Sequence, residues 1–414
     1  MSSRRPRILI SGASVAGPVL AYWLHRFGFE PTVVERTPEL RMGDGGHAVD
    51  LFGPALEVME WTGVLDEVRA ARTQTRLITL IRPGRRPVDA LAEALSEGVS
   101  ERHVEIMRGD LAGIVYAQSR EHVEYLFDDS IASLHDTGAE IEVGFERGSS
   151  RTYDLVVGAD GLHSVTRRLV FGPEKDYLRF LGGYLAVFSV PNYLSLTDRM
   201  LGFSAPERTA AVYPADGGSQ LRVVLLWRTP ALHDYDRHDL NAQRQLVRHL
   251  YGDLGWELPR LLADLETADD LYLDSISQIV MDRWTRGRVA LVGDAGYSPA
   301  PAVGGGTSLA VVGAYQLASE LAAAGGDHVA GFSAYEQALR PVVQRSRTIG
   351  PSVIDAIIPK SKAQIWLIAQ AIRLLPQLPV MLRRKLTSFG GGPAAMLREA
   401  RLRPPNDVLE MRGV

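Results

Sequence analysis

Residues 7–35 read RILISGASVAGPVLAYWLHRFGFEPTVVE, and this stretch decides the fold. The apolar run Arg7–Ser11 predicts a buried strand, and a glycine-rich turn follows it directly. Helical spacing then places the apolar residues of Pro18–Phe27 on one face, and Gly28 ends that helix as a C-terminal glycine does. Pro31–Glu35 predicts a second buried strand. Strand, turn, helix and strand together form the βαβ unit with which a parallel sheet begins.

The turn inside this unit has the pattern of a phosphate-binding loop. Its residues are Gly12, Ser14, Val15, Ala16 and Gly17, at the spacing Gly-x-Gly-x-x-Gly with serine in the middle position. Glycine lets the backbone approach a pyrophosphate closely, and the start of the following helix presents free N–H groups. Glu35 ends the second strand 23 residues after Gly12 (35 minus 12), where its carboxylate can accept hydrogen bonds from a ribose hydroxyl pair. The pattern indicates an adenine dinucleotide site, with a phosphate-free Rossmann-like turn as the alternative.

Two further strand ends carry an aspartate next to a glycine. Asp160 lies in the sequence GADG after the apolar run Leu155–Val157, and Asp294 follows Gly293 after the run Arg288–Val292. A glycine neighbour lets such a carboxylate reach a polyol hydroxyl without a Cβ clash. A cluster of potential backbone N–H donors precedes the next predicted helix and comprises Gly304, Gly305, Gly306 and Thr307. Because such a cluster suits an anionic ring or phosphate, the order of the three motifs points to one cofactor site.

In these three motifs the chain resembles the class A flavoprotein monooxygenases, the para-hydroxybenzoate hydroxylase-like family, and within it the tetracycline-inactivating and polyketide-tailoring hydroxylases. The resemblance covers residues 5–345, and the remainder agrees in character only. It implies non-covalently bound FAD and NADPH or NADH as a transient co-substrate. It further implies that O2 hydroxylates an aromatic or polyketide-like small molecule through a flavin C4a-hydroperoxide.

The resemblance also implies roles for single residues. Glu35 would hold the adenosine ribose of FAD, Asp294 would hold the ribityl chain, and Arg36 would lie near the cofactor. Arg108, at the start of a predicted helix, would contact FAD. Asp160 would belong to the motif that serves both FAD and NAD(P)H.

A fourth matching segment, residues 45–51, corresponds to the loop beside the isoalloxazine in the family, with Gly46 and Asp50 as candidate contacts. Two positions depart from the family pattern. Ser308 stands where asparagine is common, and Tyr297 stands where histidine is common. These departures bear on detailed flavin contacts and leave FAD binding as the expectation. The tryptophan motif of flavin-dependent halogenases is absent, so halogenation is not expected.

The strand patterns predict an α/β fold with a discontinuous Rossmann-like FAD-binding domain, an antiparallel-sheet substrate domain and C-terminal helices. We assign residues 1–75, 105–175 and 281–345 to the FAD-binding domain, 76–104 and 176–280 to the substrate-binding domain, and 346–414 to a C-terminal helical segment. Helices are predicted at Leu56–Leu65, within Met107–His135, at Ser308–Ala324 and over much of Ile354–Leu382, where prolines interrupt the pattern.

Candidate substrate contacts are aromatic residues on predicted strands, together with Pro301 near the glycine cluster. The aromatic candidates are Tyr184, Phe188, Tyr213 and Trp227. Plain core packing is the alternative for them, because aromatic side chains on strands usually pack in the core. Flavin-based oxygen transfer requires no obvious catalytic base, so the catalytic residue stays unassigned. His47 and His163 are possible acid–base groups, with a structural role as the alternative for each.

Composition excludes several other functions. The net charge is -4 over 414 residues, so no global field favours nucleic acid. The chain has no cysteine, which excludes disulfides, cysteine-ligated metal centres and a catalytic thiol, and we expect no metal site. No apolar run reaches the roughly 18 residues of a membrane span. We therefore expect a cytoplasmic protein, monomeric or homodimeric, whose partners are a small aromatic substrate and O2.

The C-terminal segment around Trp366 combines apolar residues with nearby arginines and lysines. We expect a helix that covers the substrate entrance, so that Trp366→Ala alters substrate affinity or stability and not location. A basic amphipathic helix on a membrane surface is the alternative.

Three other functions stay open at this level. An NAD-dependent dehydrogenase of simple Rossmann type would explain the first motif but would leave Asp294 and the glycine cluster without a role. A non-catalytic flavin- or aromatic-binding protein would be yellow and show no NADPH-driven oxygen uptake. Baeyer–Villiger insertion or epoxidation would use the same cofactor and O2, and residue patterns do not separate these reactions from hydroxylation.

Overall fold

The computed structural model describes residues 4–40, 46–92, 103–233, 239–374 and 397–405. Its strands are β1 (Arg7–Ser11), β2 (Glu30–Glu35), β3 (Ala48–Phe52), β4 (Leu77–Ile81), β5 (Val88–Leu91), β6 (His103–Met107), β7 (Glu124–Phe127), β8 (Ile131–Asp136), β9 (Ile141–Phe145), β10 (Arg151–Tyr153), β11 (Leu155–Gly158), β12 (Leu178–Pro191), β13 (Arg199–Ala205), β14 (Arg208–Ala215), β15 (Gln220–Arg228), β16 (Tyr272–Ile279), β17 (Thr285–Arg286) and β18 (Val289–Leu291). Its α-helices are α1 (Ala16–Arg26), α2 (Gly53–Thr62), α3 (Leu65–Ala70), α4 (Arg108–Ser119), α5 (Val165–Phe171), α6 (Leu240–Tyr251), α7 (Leu258–Asp264), α8 (Asp294–Tyr297), α9 (Gly306–Ala323), α10 (His328–Ile357) and α11 (Lys362–Leu374).

The first βαβ unit lies at the centre of a six-stranded sheet. The strand order is β17-β18-β11-β1-β2-β7, and every pairing is parallel except the short edge pairing of β17 with β18. These strands come from three separate parts of the chain, so the Rossmann-like layer is discontinuous, as predicted. Helices α1 and α9 share one core beside this sheet, where the rings of Trp23 and Tyr315 meet edge to face at 4.8 Å.

A second sheet of seven strands has the order β16-β12-β15-β14-β13-β4-β5. Its pairings are antiparallel except that of β13 with β4. Alternate residues of its strands belong to two different cores: Leu185 and Val187 face the core shared with α1 and α9, while Tyr184 and Phe188 face a core shared with α6 and α7. The sheet therefore separates the Rossmann-like layer from an outer helical layer. The mixed α/β fold class is confirmed, while the domain boundaries stay a prediction.

Several predicted elements need correction. The helix predicted within Met107–His135 is confirmed as α4, but it ends at Ser119, and β7 and β8 occupy the rest of that range. The apolar residues of β7 belong to the six-stranded sheet because β7 pairs with β2, and this long-range pairing overrides the local helical spacing. Strand β16 was not predicted. Gly63, with a φ of +87°, divides the predicted Leu56–Leu65 helix into α2 and α3.

The predicted interruption of the C-terminal helical pattern by proline is confirmed at Pro359, which lies between two helices. Helix α10 contains Pro341 and Pro351 and ends at Ile357, and α11 begins at Lys362. The predicted breaks at Pro376 and Pro379 lie outside the described residues, as does the basic cluster at residues 383–385. Within the described ranges, no helix has the combination of length and apolar composition that crossing a bilayer requires.

Candidate active site

A cavity of about 300 Å³ opens where the parallel strands β1, β2, β11 and β18 end. The carboxyl ends of parallel strands share one edge of a sheet, and ligands of open α/β sheets bind there. Twelve of the predicted site residues line it: Gly12, Ser14, Val15, Ala16, Glu35, Arg36, Arg108, Asp160, Asp294, Pro301, Gly306 and Thr307. The three motifs, which are far apart in the chain, therefore meet at one cavity.

The glycine-rich turn is shaped by two close backbone approaches. Gly12 has a φ of +108°, and a Cβ placed on it would lie 2.5 Å from the carbonyl oxygen of Ala159. Gly17 does not line the cavity; a Cβ there would lie 1.9 Å from the carbonyl oxygen of Gly12. Ser14 is exposed to the cavity. Helix α1 begins without a side-chain cap, so its first N–H groups stay available to an anionic ligand.

Glu35, at the end of β2, is hydrogen-bonded to this turn. Its Oε2 accepts a hydrogen bond from the backbone N–H of Ala13 at 2.8 Å, and its Oε1 accepts one from the N–H of Thr37 at 3.0 Å. Each carboxylate oxygen can accept more than one hydrogen bond, so acceptor capacity remains on the cavity side. Arg36, the next residue, is exposed and lines the cavity.

Asp160 lines the cavity, but its carboxylate accepts hydrogen bonds from residues of its own loop. Oδ1 accepts from the Ser164 hydroxyl, and Oδ2 accepts from both the N–H and the hydroxyl of Thr166 at 2.9 Å. These bonds order the start of α5. The structure thus gives Asp160 a structural task in addition to its place on the cavity wall.

Asp294 has the opposite character, because its side chain is accessible from the cavity. The surrounding protein desolvates it and raises the pKa of its carboxyl above the ordinary value, against the lowering effects of a hydrogen bond with Ser298 and of the nearby charge on Arg108. Within the described part of the chain, the Arg108 guanidinium makes no hydrogen bond. A polar ligand that donates to Asp294 and accepts from Arg108 would satisfy both groups.

The segment between Gly293 and α9 contains several residues with positive φ. Gly304 and Gly305 have φ values of +83° and +72°, and Gly305 is the N-cap of α9. Ala300 and Ala302, on either side of Pro301, have φ values of +99° and +62°. Left-handed backbone at alanine is strained, and such strain concentrates at ligand sites. Gly293, Gly304 and Gly305 shape the turn without lining the cavity, whereas Gly306 and Thr307 line it.

The segment 46–51 lies beside this turn, but one of its predicted contacts is directed elsewhere. Gly46 packs against Arg108. The Asp50 carboxylate lies 2.7 Å from Nε2 of His103 and is outside the cavity lining, and its role as a cofactor contact stays a prediction. The side chain of Asp50 is held there because β3 pairs with β6, on which His103 lies.

Two departures from the family pattern have packing roles. The Ser308 hydroxyl donates to the carbonyl of Asp50 at 2.7 Å and accepts from the N–H of Phe52 at 3.0 Å, so it joins α9 to β3. The hydroxyls of Tyr297 and Tyr335 lie 2.8 Å apart in the core. Both substitutions thus supply buried hydrogen bonds.

Three of the four aromatic substrate candidates are wrongly placed for that role. Tyr184, Phe188 and Trp227 are at most 1% exposed and lie in the core that the sheet shares with α6 and α7. Strand alternation places them on the face that points away from the cavity. Tyr213 is on the other face, and its hydroxyl accepts a hydrogen bond from the N–H of Ala48 at 3.1 Å.

The sequence interpretation missed two cavity residues on β16, Tyr272 and Asp274, and left the role of His163 open. All three line the cavity. The alternation of Tyr272 and Asp274 along one strand was the available signal. His47, the other histidine considered, has its pKa lowered to about 4 by burial and by the charge on Arg108, so it is neutral near neutral pH.

Fold and site together define a dinucleotide-binding α/β protein with a second sheet against its cofactor edge. A family model described as FAD binding domain matches residues 5–348, and the chain belongs to this family. A flavin-dependent monooxygenase from an unknown prokaryotic organism is 40% identical over 359 residues, which cover 85% of this chain and 90% of that protein. A flavin-dependent monooxygenase from Legionella longbeachae serogroup 1 (strain NSW150) is 36% identical over 367 residues, covering 87% and 92%. The chain is an FAD-dependent monooxygenase.

A solved structure agrees with this family over nearly the whole chain. The crystal structure of tetracycline destructase Tet(55) matches with a TM-score of 0.79 and 36% sequence identity, covering 94% of this chain and 98% of that one. The family match extends over the Asp294 motif and the glycine cluster, which a simple NAD-dependent dehydrogenase would leave without a role. The dehydrogenase alternative is therefore wrong.

The residues present fit FAD on structural grounds. A Cβ at Gly12 would fill the cradle between the first two motifs, and Asp294 and Arg108 face the cavity with capacity for a polar ligand. The uncapped start of α1 suits a diphosphate. These features come from three separate segments of the chain: the turn of Gly12 and α1, the start of α4 at Arg108, and the Asp294 motif.

Proposed function

We propose that this chain is an NAD(P)H-consuming monooxygenase that hydroxylates an aromatic or polyketide-like small molecule. The observation that carries the proposal is the convergence of the three motifs on one cavity, to which the seven-stranded sheet contributes Tyr272 and Asp274. The same face of that sheet carries the buried apolar residues Leu185 and Val187. A cofactor at this edge would have its reactive part near a surface suited to a flat apolar substrate.

The chain's own residues would divide the work of holding FAD. The α1 turn around Gly12 and Ser14 would take the diphosphate, and Glu35 would take the adenosine ribose. Asp294 would accept from the ribityl chain, and the N–H groups at Gly306 and Thr307 would stabilise negative charge on the flavin ring. FAD held in this way and reduced by NAD(P)H would supply the chemistry that activates O2, with one oxygen atom of O2 entering the substrate and the other leaving as water.

Water exclusion is the second task of the protein. The face of the seven-stranded sheet that is turned toward the Rossmann-like layer carries Leu185, Val187 and Leu226. These residues belong to the same apolar core as α1 and α9. Helix α10 closes this region with Ile354, which is 1% exposed. An apolar, closed surrounding keeps water from a reactive oxygen species and favours a hydrophobic substrate.

The substrate class is the finer part of the proposal. The solved structure with a TM-score of 0.79 is named for tetracycline, a fused-ring molecule. We infer that fused-ring aromatic or polyketide-like compounds are the first class to test here. Tyr213 and Tyr272 are the tyrosines on the cavity side of the sheet, and they replace the misplaced aromatic candidates as side chains for substrate contact.

The test uses the purified holoenzyme, NADPH or NADH, and a panel of phenols, fused-ring aromatics and tetracycline. We expect NAD(P)H oxidation and O2 uptake to be stimulated by a member of the panel and its product to gain the mass of one oxygen atom. NMR of that product distinguishes a new hydroxyl from an inserted ring oxygen or an epoxide. Release of FAD on denaturation checks the non-covalent linkage. A yellow protein that shows no NAD(P)H-driven O2 uptake with any compound would support the non-catalytic alternative.

A further inference from the structure

His163 lies on the cavity wall between two carboxylates that come from different parts of the fold. Its Nδ1 is 3.0 Å from both oxygens of Glu174, in the turn after α5. Its Nε2 is 2.9 Å from Oδ2 of Asp274, on β16. His163 follows β11 of the six-stranded sheet, so its ring connects the Asp160 loop with the seven-stranded sheet.

Both carboxylates are held in place by further donors. Tyr272 donates its hydroxyl to Asp274 at 2.8 Å, and the N–H of Ser275 donates to the other oxygen at 2.7 Å. Arg167, which is fully buried, donates to Glu174 at 2.9 Å. The ring of His163 therefore has little freedom to turn away from either partner.

The protonation state of the His163 ring decides whether its contacts with Glu174 and Asp274 are both favourable. A neutral imidazole has one N–H donor and one lone pair, so it can donate to only one of the two carboxylates. The other nitrogen would then present a lone pair to a carboxylate oxygen. Only the imidazolium donates to Glu174 and Asp274 together, through two charge-assisted hydrogen bonds.

We propose that His163, as an imidazolium, is a positioning residue that holds the Asp160 loop against β16 and thereby fixes the wall of the FAD cavity. When the ring loses its proton, one of the two hydrogen bonds is lost and the wall separates. FAD retention then falls because the wall of the cavity is no longer fixed. This inference depends on FAD binding alone and not on the substrate or the NAD(P)H reaction.

The charges around the ring support this assignment. Burial acts to lower the pKa of His163, but the hydrogen bonds and charges of Asp274 and Glu174 outweigh it, and the pKa is raised above the ordinary value. Behind these carboxylates lie Tyr272 and the cationic Arg167. Across the cavity, the charges of Arg108 and Asp294 also act on Tyr272, and that of Asp274 acts on Asp294. A raised folded-state pKa means that the bridge is present at low pH and is lost as pH rises through that pKa.

Equilibrium dialysis of the holoenzyme between about pH 6 and about pH 9 tests the proposal, with retained FAD measured by absorbance. We expect wild-type retention to fall with rising pH. We expect His163→Gln to retain FAD roughly tenfold more weakly at low pH, the effect of about one charge-assisted hydrogen bond, and to show no such pH dependence. The matched control is His249→Gln, an exposed position on α6, which should follow the wild-type curve.

A second variant keeps the ring and changes its proton affinity. Asp274→Asn removes one carboxylate, so the midpoint of FAD loss should move to lower pH. Circular dichroism on the same samples separates FAD loss from unfolding. A wild-type curve that is flat, or a midpoint that is unchanged in both His163→Gln and Asp274→Asn, would overturn the proposal while leaving the monooxygenase assignment intact.

Discussion

Gly12 and Gly28 both have positive φ, but only Gly12 approaches another loop. A Cβ at Gly12 would meet the Ala159 carbonyl at 2.5 Å, whereas a Cβ at Gly28 would meet nothing within 4 Å. We expect Gly28→Ala to cost about 1–2 kcal/mol of folding stability through backbone strain alone. Gly12→Ala should cost more and should also weaken FAD binding, because the Asp160 loop must move. Thermal unfolding and FAD titration of both variants measure the difference; equal FAD affinity would argue against the close approach.

Asp294 is the residue on which the expected ribityl contact depends. We expect Asp294→Ala to lose about 1.5–3 kcal/mol of FAD binding energy, since a charge-assisted hydrogen bond disappears. Asp282→Ala, at an exposed position ahead of Trp284, is the control and should bind FAD like the wild type. Because desolvation by the surrounding protein raises the pKa of Asp294, the carboxylate acceptor is lost as pH falls through that raised pKa. FAD occupancy of the two variants decides the assignment, and equal occupancy would refute it.

At the scale of elements, the Ser308 hydroxyl is the link between α9 and β3. It is fully buried and satisfies both Asp50 and Phe52. We expect Ser308→Ala to lower the free energy of unfolding by about 1–3 kcal/mol, because the N–H of Phe52 is left without an acceptor. Ser352→Ala, on the exposed side of α10, is the matched serine control. Urea denaturation of the two variants tests this, and similar midpoints would count against the link.

Helix α11 is attached through its buried face and not through its tryptophan. Ile365 is 6% exposed and Trp366 is 54% exposed. We therefore expect Ile365→Ala to cost about 2–5 kcal/mol and Trp366→Ala to change stability by no more than about 0.5 kcal/mol. This revises the stability part of the expectation for Trp366. Thermal unfolding checks the pair, and a large loss in Trp366→Ala would mean that the ring is covered in solution.

At the scale of the whole molecule, the chain carries one dinucleotide fingerprint followed by a strand-end acid, and FAD occupies it in this interpretation. Under the proposed function, the nicotinamide cofactor would then bind transiently at the same cavity. We expect anaerobic NADPH or NADH to bleach the flavin of the isolated protein, faster with the true substrate present. Stopped-flow absorbance follows the bleaching. A strict requirement for a separate reductase would contradict a one-component enzyme.

Local sequence determined the first βαβ unit, the three cofactor motifs and the alternation of the middle strands. These features depend on spacing within a few residues: glycine where the backbone must turn or approach, apolar runs where a strand is buried on both faces. The family resemblance and FAD followed from the order of the motifs. The substrate-binding residues did not follow, because alternation divides the residues of each strand between two faces without showing which face meets the cavity.

Only the tertiary structure decided which polar groups are free to bind a ligand. Asp160 and Asp294 look alike in sequence, each beside a glycine at a strand end, yet Asp160 is occupied by Ser164 and Thr166 while Asp294 faces the cavity. The Asp50 carboxylate is hydrogen-bonded with His103. His163 contacts the carboxylates of Glu174 and Asp274, which are 11 and 111 residues away in the chain. The partners of Asp160 are only four and six residues away, but they reach its carboxylate because of how the chain turns into α5. The contacts of Asp50 with His103 and of His163 with Asp274 are set by long-range packing of strands. Backbone turns, in contrast, are set by the residues that form them.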